Sequence, residues 1–261
     1  MKRTVIVVTA LILLMAEPSF AEEAQNVELI YPLTLRRPII ENEIDLTMSH
    51  TRNPSGRETA LGAEIEYYPL SWWQIALGLP VSISSPGGGI MQAGIGDITL
   101  ENKFLLYRNL ERRIQAAGGF EVSFPTGSKS RSLGGETAIE PFLVGGAAFG
   151  SVHVMADAAY QWVLNSPDRG ERKQEARAGL AVGYELTERF LPLLEFTTVR
   201  LVRGVNEDTG GKLRRKAQFY LTPGFNLKMF EETTLRFGVQ LPITHTREFE
   251  YNLLLGLAIE F

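Results

Sequence analysis

From Glu43 to the C-terminal Phe261, apolar residues recur at every second position, in runs broken by clusters of Gly, Pro, Asn, Ser and charged residues. A period of two puts alternate side chains on opposite faces of an extended chain, so these runs are strands and not helices. The last run is the clearest. Phe249, Tyr251, Leu253, Leu255, Leu257, Ile259 and Phe261 share one face, and Glu250, Asn252, Gly256, Ala258 and Glu260 share the other. The same division separates Leu235, Phe237, Val239, Leu241 and Ile243 from Thr234, Arg236, Gly238 and Gln240. Twelve such segments are expected, near residues 43–53, 58–69, 72–83, 95–108, 113–124, 136–148, 151–164, 174–186, 190–203, 214–228, 233–244 and 247–261. In the ninth, Leu194 and Phe196 are out of phase with Val199 and Leu201, which predicts a bulge. An even count lets up-and-down antiparallel strands close on themselves with both ends at one rim.

The connections alternate in length. Short turns are expected at Pro69–Ser71, Asn109–Arg112, Gly150, Thr187–Arg189 and Met229–Glu232. Long polar loops are expected at Ser84–Gly94, Pro125–Gly135, Asn165–Lys173 and Gly204–Leu213. Bacterial outer-membrane barrels show this alternation, with the short turns in the periplasm. The fold class read from the pattern is therefore all-β, a transmembrane up-and-down antiparallel barrel of about twelve strands. Charged residues occupy the face opposite the apolar one, and in a membrane barrel that face lines the lumen. The candidate lumen-lining residues are Glu64, Glu66, Asp97, Glu101, Lys103, Arg113, Glu121, Glu140, Asp157, Arg177, Glu185 and Arg236. In a soluble sandwich the same residues would form the solvated surface. Aromatic residues at the run ends argue for a membrane, because amphipathic rings prefer the headgroup level: Tyr67, Tyr68, Trp72, Trp73 and Tyr107 lie near short turns, and Phe124, Tyr160, Trp162, Phe249 and Tyr251 near long loops.

The first residues fit this destination. Met1-Lys2-Arg3, the apolar run Thr4–Met15 and the small-x-small Ser19-Phe20-Ala21 have the order of a cleavable signal peptide, residues 1–21. The apolar stretch is short for a bilayer helix and is closed by Glu17 and Pro18. Its removal takes away Lys2, Arg3 and Glu17, so the net charge moves from -4 to -5. That balance excludes the basic excess a nucleic-acid surface requires. With no cysteine there is no disulfide framework and no thiolate metal site. Residues 22–42, with Arg36-Arg37-Pro38, read as a periplasmic extension or an inserted plug, ahead of a barrel at 43–261.

Two internal stretches and the C-terminus carry a resemblance. The final Phe261, with alternate apolar residues before it, resembles the C-terminal signature that the barrel-assembly machinery recognises in outer-membrane proteins. Gly96-Asp97-Ile98-Thr99-Leu100-Glu101-Asn102-Lys103-Phe104, and Phe124-Pro125-Thr126-Gly127 followed by Gly134-Gly135, resemble motifs of outer-membrane transporters named after the MetA pathway of phenol degradation. The resemblance implies passive passage of small solutes, hydrophobic or aromatic compounds among them. The residues themselves imply an inward Asp97, Glu101 and Lys103 ladder that reaches Arg113 on the next strand. Pro125 and Gly127 are expected to end a strand and open a loop.

The chain has three histidines, His50, His153 and His245. There is no G-x-S-x-G and no H-E-x-x-H, and Gly87-Gly88-Gly89 lacks the Lys-Ser/Thr of a phosphate loop. No enzyme activity, cofactor or metal is expected. The expected partners are outer-membrane lipids, lipopolysaccharide against Lys212, Arg214, Arg215 and Lys216, the assembly machinery and small solutes. Inward acids outnumber inward bases, which predicts a cation preference in a conducting pore. The rival reading is a closed structural or adhesive barrel, its interior plugged by salt bridges and its loops binding a partner.

Overall fold

Every long apolar-alternating run is a strand, and each strand pairs antiparallel with its neighbours. The structure is a computed structural model describing residues 25–53, 56–86, 91–128, 134–165, 174–203, 217–245 and 249–261. The signal peptide, Gly87-Gly88-Gly89 and the basic run Lys212, Arg214, Arg215 and Lys216 lie outside the described residues. The strands are β1 (Glu43–Asn53), β2 (Gly56–Leu70), β3 (Trp73–Pro86), β4 (Gln92–Ile95), β5 (Ile98–Asn109), β6 (Ile114–Phe124), β7 (Thr137–Phe149), β8 (Val152–Asn165), β9 (Gln174–Tyr184), β10 (Phe190–Arg203), β11 (Ala217–Phe230), β12 (Thr233–Pro242) and β13 (Tyr251–Glu260).

The strand expected at 95–108 is two pieces. β4 pairs with Val81–Ser84 of β3 and β5 with Trp73–Gly78, so they form one span interrupted at Gly96-Asp97. Twelve spans result. Closure is made by β1 against β13, in register from Glu43↔Glu260 to Arg52↔Tyr251. A closed ladder leaves no edge, which is the condition for a sheet to cross hydrocarbon.

The faces follow the dyad pattern. Leu106, Leu143, Leu180 and Leu194 are exposed on the outer wall, while Glu101, Lys103, Glu140, Glu195 and Arg236 are buried inside. At the short-turn rim the rings of Trp72, Trp73 and Phe104 stack with centroids 6.3–6.5 Å apart, and Trp73 Nε1 donates to Asn102 Oδ1 at 3.1 Å. At the opposite rim Tyr160 and Trp162 pack at 4.6 Å.

Two expectations are corrected here. β10 stays in register with β11 from Phe190 to Arg200, so there is no bulge between Phe196 and Val199; the irregularity falls at Leu201–Arg203 against β9. Val199 and Leu201 continue the inward face of Glu195, and Thr198 and Arg200 point outward near the long-loop rim, where headgroups accept polar side chains. Phe249 precedes β13, and its ring stacks at 5.0 Å on the lumen-facing Tyr220 instead of joining the outer girdle.

Residues 26–42 pair with no strand and lie within the lumen at the short-turn end. Val27, Leu29, Ile30, Leu35 and Ile39 form one buried apolar cluster with Ala148, Met155, Ala181 and Leu193 of the wall. Among the described residues, the larger buried apolar cluster is thus the contact between this segment and the barrel's inner face.

Candidate channel lumen

The segment is fixed to the wall by amide and carboxylate side chains that point inward from the strands. It begins on β6, where Gln115 Oε1 accepts the Val27 N–H at 3.0 Å and Gln115 Nε2 donates to the Pro38 carbonyl at 2.8 Å. It crosses to β11, where Asn226 accepts the Tyr31 N–H at 2.9 Å and donates to the Tyr31 carbonyl at 2.7 Å. Its apex rests on β10, where Glu195 accepts the Leu33 N–H at 2.5 Å and the Thr34 N–H at 3.0 Å. It returns toward β1 past Gln74, which accepts the Glu41 N–H at 2.9 Å. Non-sheet backbone inside a membrane barrel must find partners, and these side chains supply them.

Glycines in the wall make room for the segment's aliphatic side chains. A Cβ built on Gly146 would lie 2.6 Å from Leu29 Cδ1, one on Gly183 2.7 Å from Ile30 Cγ2, and one on Gly224 2.5 Å from Leu33 Cδ1. On Gly179 the same atom would meet Asp157 Oδ1 and Leu35 Cγ, both at 2.8 Å. The wall is shaped to this segment on at least three strands, β7, β9 and β11.

Arg36 is the charge centre. Its Nε donates to Glu101 at 2.8 Å, its Nη2 contacts Glu121 at 3.3 Å and Glu140 at 3.0 Å, and its guanidinium lies 4.4 Å over the Phe142 ring. Glu140 also pairs with Arg177. Arg37 stacks 3.5 Å over Tyr31 and binds Glu41 and Glu43, the latter at 3.5 Å. Burial, with Glu43, Glu66 and Glu260 nearby and Arg37 opposing, pushes the Glu41 carboxyl up to about 8. Arg236 joins Asp45 and donates to the Pro32 carbonyl at 3.1 Å; Lys103 reaches Glu66 at 3.3 Å.

Nine of the twelve candidates face this interior: Glu64, Glu66, Glu101, Lys103, Glu121, Glu140, Asp157, Arg177 and Arg236. Two do not behave as expected, and the third, Glu185, lines a recess at the lumen mouth. Asp97 sits in the break between β4 and β5, where its carboxylate accepts the N–H groups of Gly127 at 2.8 Å, Gly135 at 2.8 Å and Glu136 at 3.0 Å. It clips the two ends of the 125–136 loop and is not part of a ladder with Glu101 and Lys103. Arg113 precedes β6 with φ 50°, in a turn, and its Nη1 donates across the rim to the Gly150 carbonyl at 2.9 Å. Glu185 follows β9 and meets His153 Nε2 at 2.9 Å, at the short-turn mouth. Phe261 is exposed at that rim, its N–H bound to the Asn42 carbonyl. Glu43, Gln74, Gln115, Asn226 and Glu260 also carry the segment; their only signal in the sequence is a large polar residue on the inward phase of a strand.

Space remains around the segment. A recess of about 650 Å³ opens at the short-turn rim between Glu28, Glu41, Glu188, Lys228 and Glu260. On the other side of the apex, a cavity of about 310 Å³ lined from β12, β13 and β1 to β3 adjoins one of about 200 Å³, the two sharing Thr47, Gly62 and Pro80.

A family model described as "Putative MetA-pathway of phenol degradation" matches residues 45–254. No curated protein matches the chain. The COG4313 outer membrane channel from Pseudomonas putida F1 superimposes with a TM-score of 0.71 at 14% identity, covering 90% of this chain and 100% of the other. The NanC porin does so with a TM-score of 0.53 at 12% identity, over 84% and 98%. The translocator domain of the autotransporter NalP from Neisseria meningitidis gives 0.51 at 11%, over 84% and 87%. At these identities the likeness is one of fold, a barrel that serves more than one role.

Proposed function

The chain belongs to the MetA-pathway family, and from that premise we propose that it is a passive channel for small solutes in the outer membrane of a Gram-negative bacterium, with residues 26–42 as its plug. The single observation that carries this reading is the pair of adjoining cavities left open beside the segment, along β12, β13 and β1 to β3. A barrel packed solid by its plug would leave no such space. The lumen is polar and charged, which suits hydrated ions and small polar solutes. The lining of the 310 Å³ cavity is mainly apolar, with Leu33, Ala60, Pro80 and Leu254. That lining supports the finer reading that small hydrophobic or aromatic molecules pass too.

Export by residues 1–21, insertion through the assembly machinery by way of Phe261, and lipopolysaccharide contact at the basic loop complete the proposal. The histidines give no support to an enzyme: His50 Nδ1 bonds Thr59 on the outer face, His153 bonds Glu185, and His245 is exposed in a loop. Liposome swelling with the refolded full-length protein tests the reading. A channel swells vesicles at rates that fall with solute size; vesicles that stay intact with every small solute would support the sealed barrel.

A further inference from the structure

We propose that Arg236 is the gate of this channel, its guanidinium barring the way between the cavities beside the plug and the recess at the short-turn rim. The inference rests on the channel reading above and adds the residue that limits passage. The cavities and the recess share no described lining residue, yet three lines of chain run from one to the other. On β12 Arg236 faces the 310 Å³ cavity, and Thr234, the next inward residue, faces the recess. On β13 Gly256 faces the cavity and Glu260 the recess. On the plug Leu33 faces the cavity and Tyr31 the recess, and the Pro32 carbonyl between them accepts a hydrogen bond from Arg236 Nη1 at 3.1 Å. Arg236 therefore stands at the boundary on all three.

Arg236 leaves β12 level with Gly256 on β13 and Thr47 on β1. Its Nη2 pairs with Asp45 on β1, which lines the 200 Å³ cavity, so the side chain crosses β13 from one neighbour to the other. Gly256 is its seat: a Cβ there would lie 2.6 Å from Nε and 2.9 Å from Cζ, and any larger residue would lift the guanidinium. On the recess side stands Tyr31, with its ring centroid 5.9 Å from Cζ and its hydroxyl bonded to Glu260. The plug has other anchors here, because Asn226 holds Tyr31 and Glu195 holds Leu33 and Thr34, on either side of Pro32. Among these wall residues Arg236 has the longest side chain and the rotamer freedom to swing its head aside. A charge-assisted pair and one carbonyl bond hold it across the path, and a passing solute must displace it.

The test is single-channel conductance in symmetrical KCl, measured on the refolded full-length protein, Arg236→Ala and the double variant Arg236→Ala/Asp45→Ala, with limited proteolysis of residues 26–42 alongside. The double variant strands no buried carboxylate, so it covers a loss of folding in the single one. Both variants should conduct about twofold or more above the wild type, with the plug as resistant to protease as before. A silent wild type beside conducting variants would support the role, as a gate that is shut. Unchanged conductance in both variants would overturn the role of Arg236 and leave the channel standing. So would a rise that comes with cleavage of the plug, since Arg236 would then act as an anchor. Silence of all three proteins would overturn the channel and the inference together.

Discussion

At the residue scale, the plug is held by a few charges whose removal has a calculable direction. Arg36 balances Glu101, Glu121 and Glu140 at once. Taking away one partner of a buried charge cluster costs about 3 kcal/mol or more, because the carboxylates left behind are desolvated without compensation. Arg36→Met should therefore release the segment: limited proteolysis would cut within residues 26–42 in the variant and spare the wild type. Equal protection would mean that the apolar contacts alone suffice. Glu41 works with the opposite sign. Docking lifts its carboxyl to about 8 from an ordinary value of 4.5, so the docked plug holds the proton more tightly than the free segment does. Its contribution to docking is complete below the ordinary value and is lost as pH rises through about 8. Channel current should accordingly increase between pH 6 and pH 9, and Glu41→Gln, neutral throughout, should flatten that rise. A current that falls over the same range would contradict the assignment.

At the element scale, the strands were legible and the parts between them were not. One face of every span meets hydrocarbon, so the alternation of Leu235, Phe237, Val239 and Leu241 with Arg236, Gly238 and Gln240 identifies a strand whatever its neighbours are. The plug carries no period. Its place depends on Gly146, Gly183 and Gly224, which lie on three different strands, and a glycine in a strand gives no sign of which side chain will occupy it. Asp97 illustrates the other failure. Counted along the sequence it shares a face with Glu101 and Lys103, but Gly96 interrupts the ladder, and beyond the break the carboxylate serves three loop N–H groups. The alternation places Arg113 in a strand, and that strand starts one residue later, at Ile114. The Asp97 clip makes its own prediction. A carboxylate that accepts several N–H bonds holds those groups firmly, so Asp97→Ala should speed amide hydrogen exchange at Gly127, Gly135 and Glu136 while the barrel strands keep their protection. Unchanged exchange at all three would contradict the clip.

At the scale of the whole molecule, the fold joins two requirements that pull apart. A barrel of twelve strands lies between those filled by side chains and those with open water channels. Here a stretch of the chain's own N-terminal region takes up much of that width, so the wall needs few bulky inward residues and can carry glycines and carboxylates instead. The apolar core lies between plug and wall, with Ile30, Ile39, Ile40 and Met155 among its most deeply buried side chains. On the proposed reading, stability and permeability are set by the same contact, so whatever loosens the plug should open the path. The central claim is that the plug narrows a real channel. It is tested most directly by comparing the single-channel conductance of the full-length barrel with that of a variant lacking residues 26–40. Small discrete steps in the first and several-fold larger steps in the second are the predicted result; equal conductance, or silence in both, would contradict it.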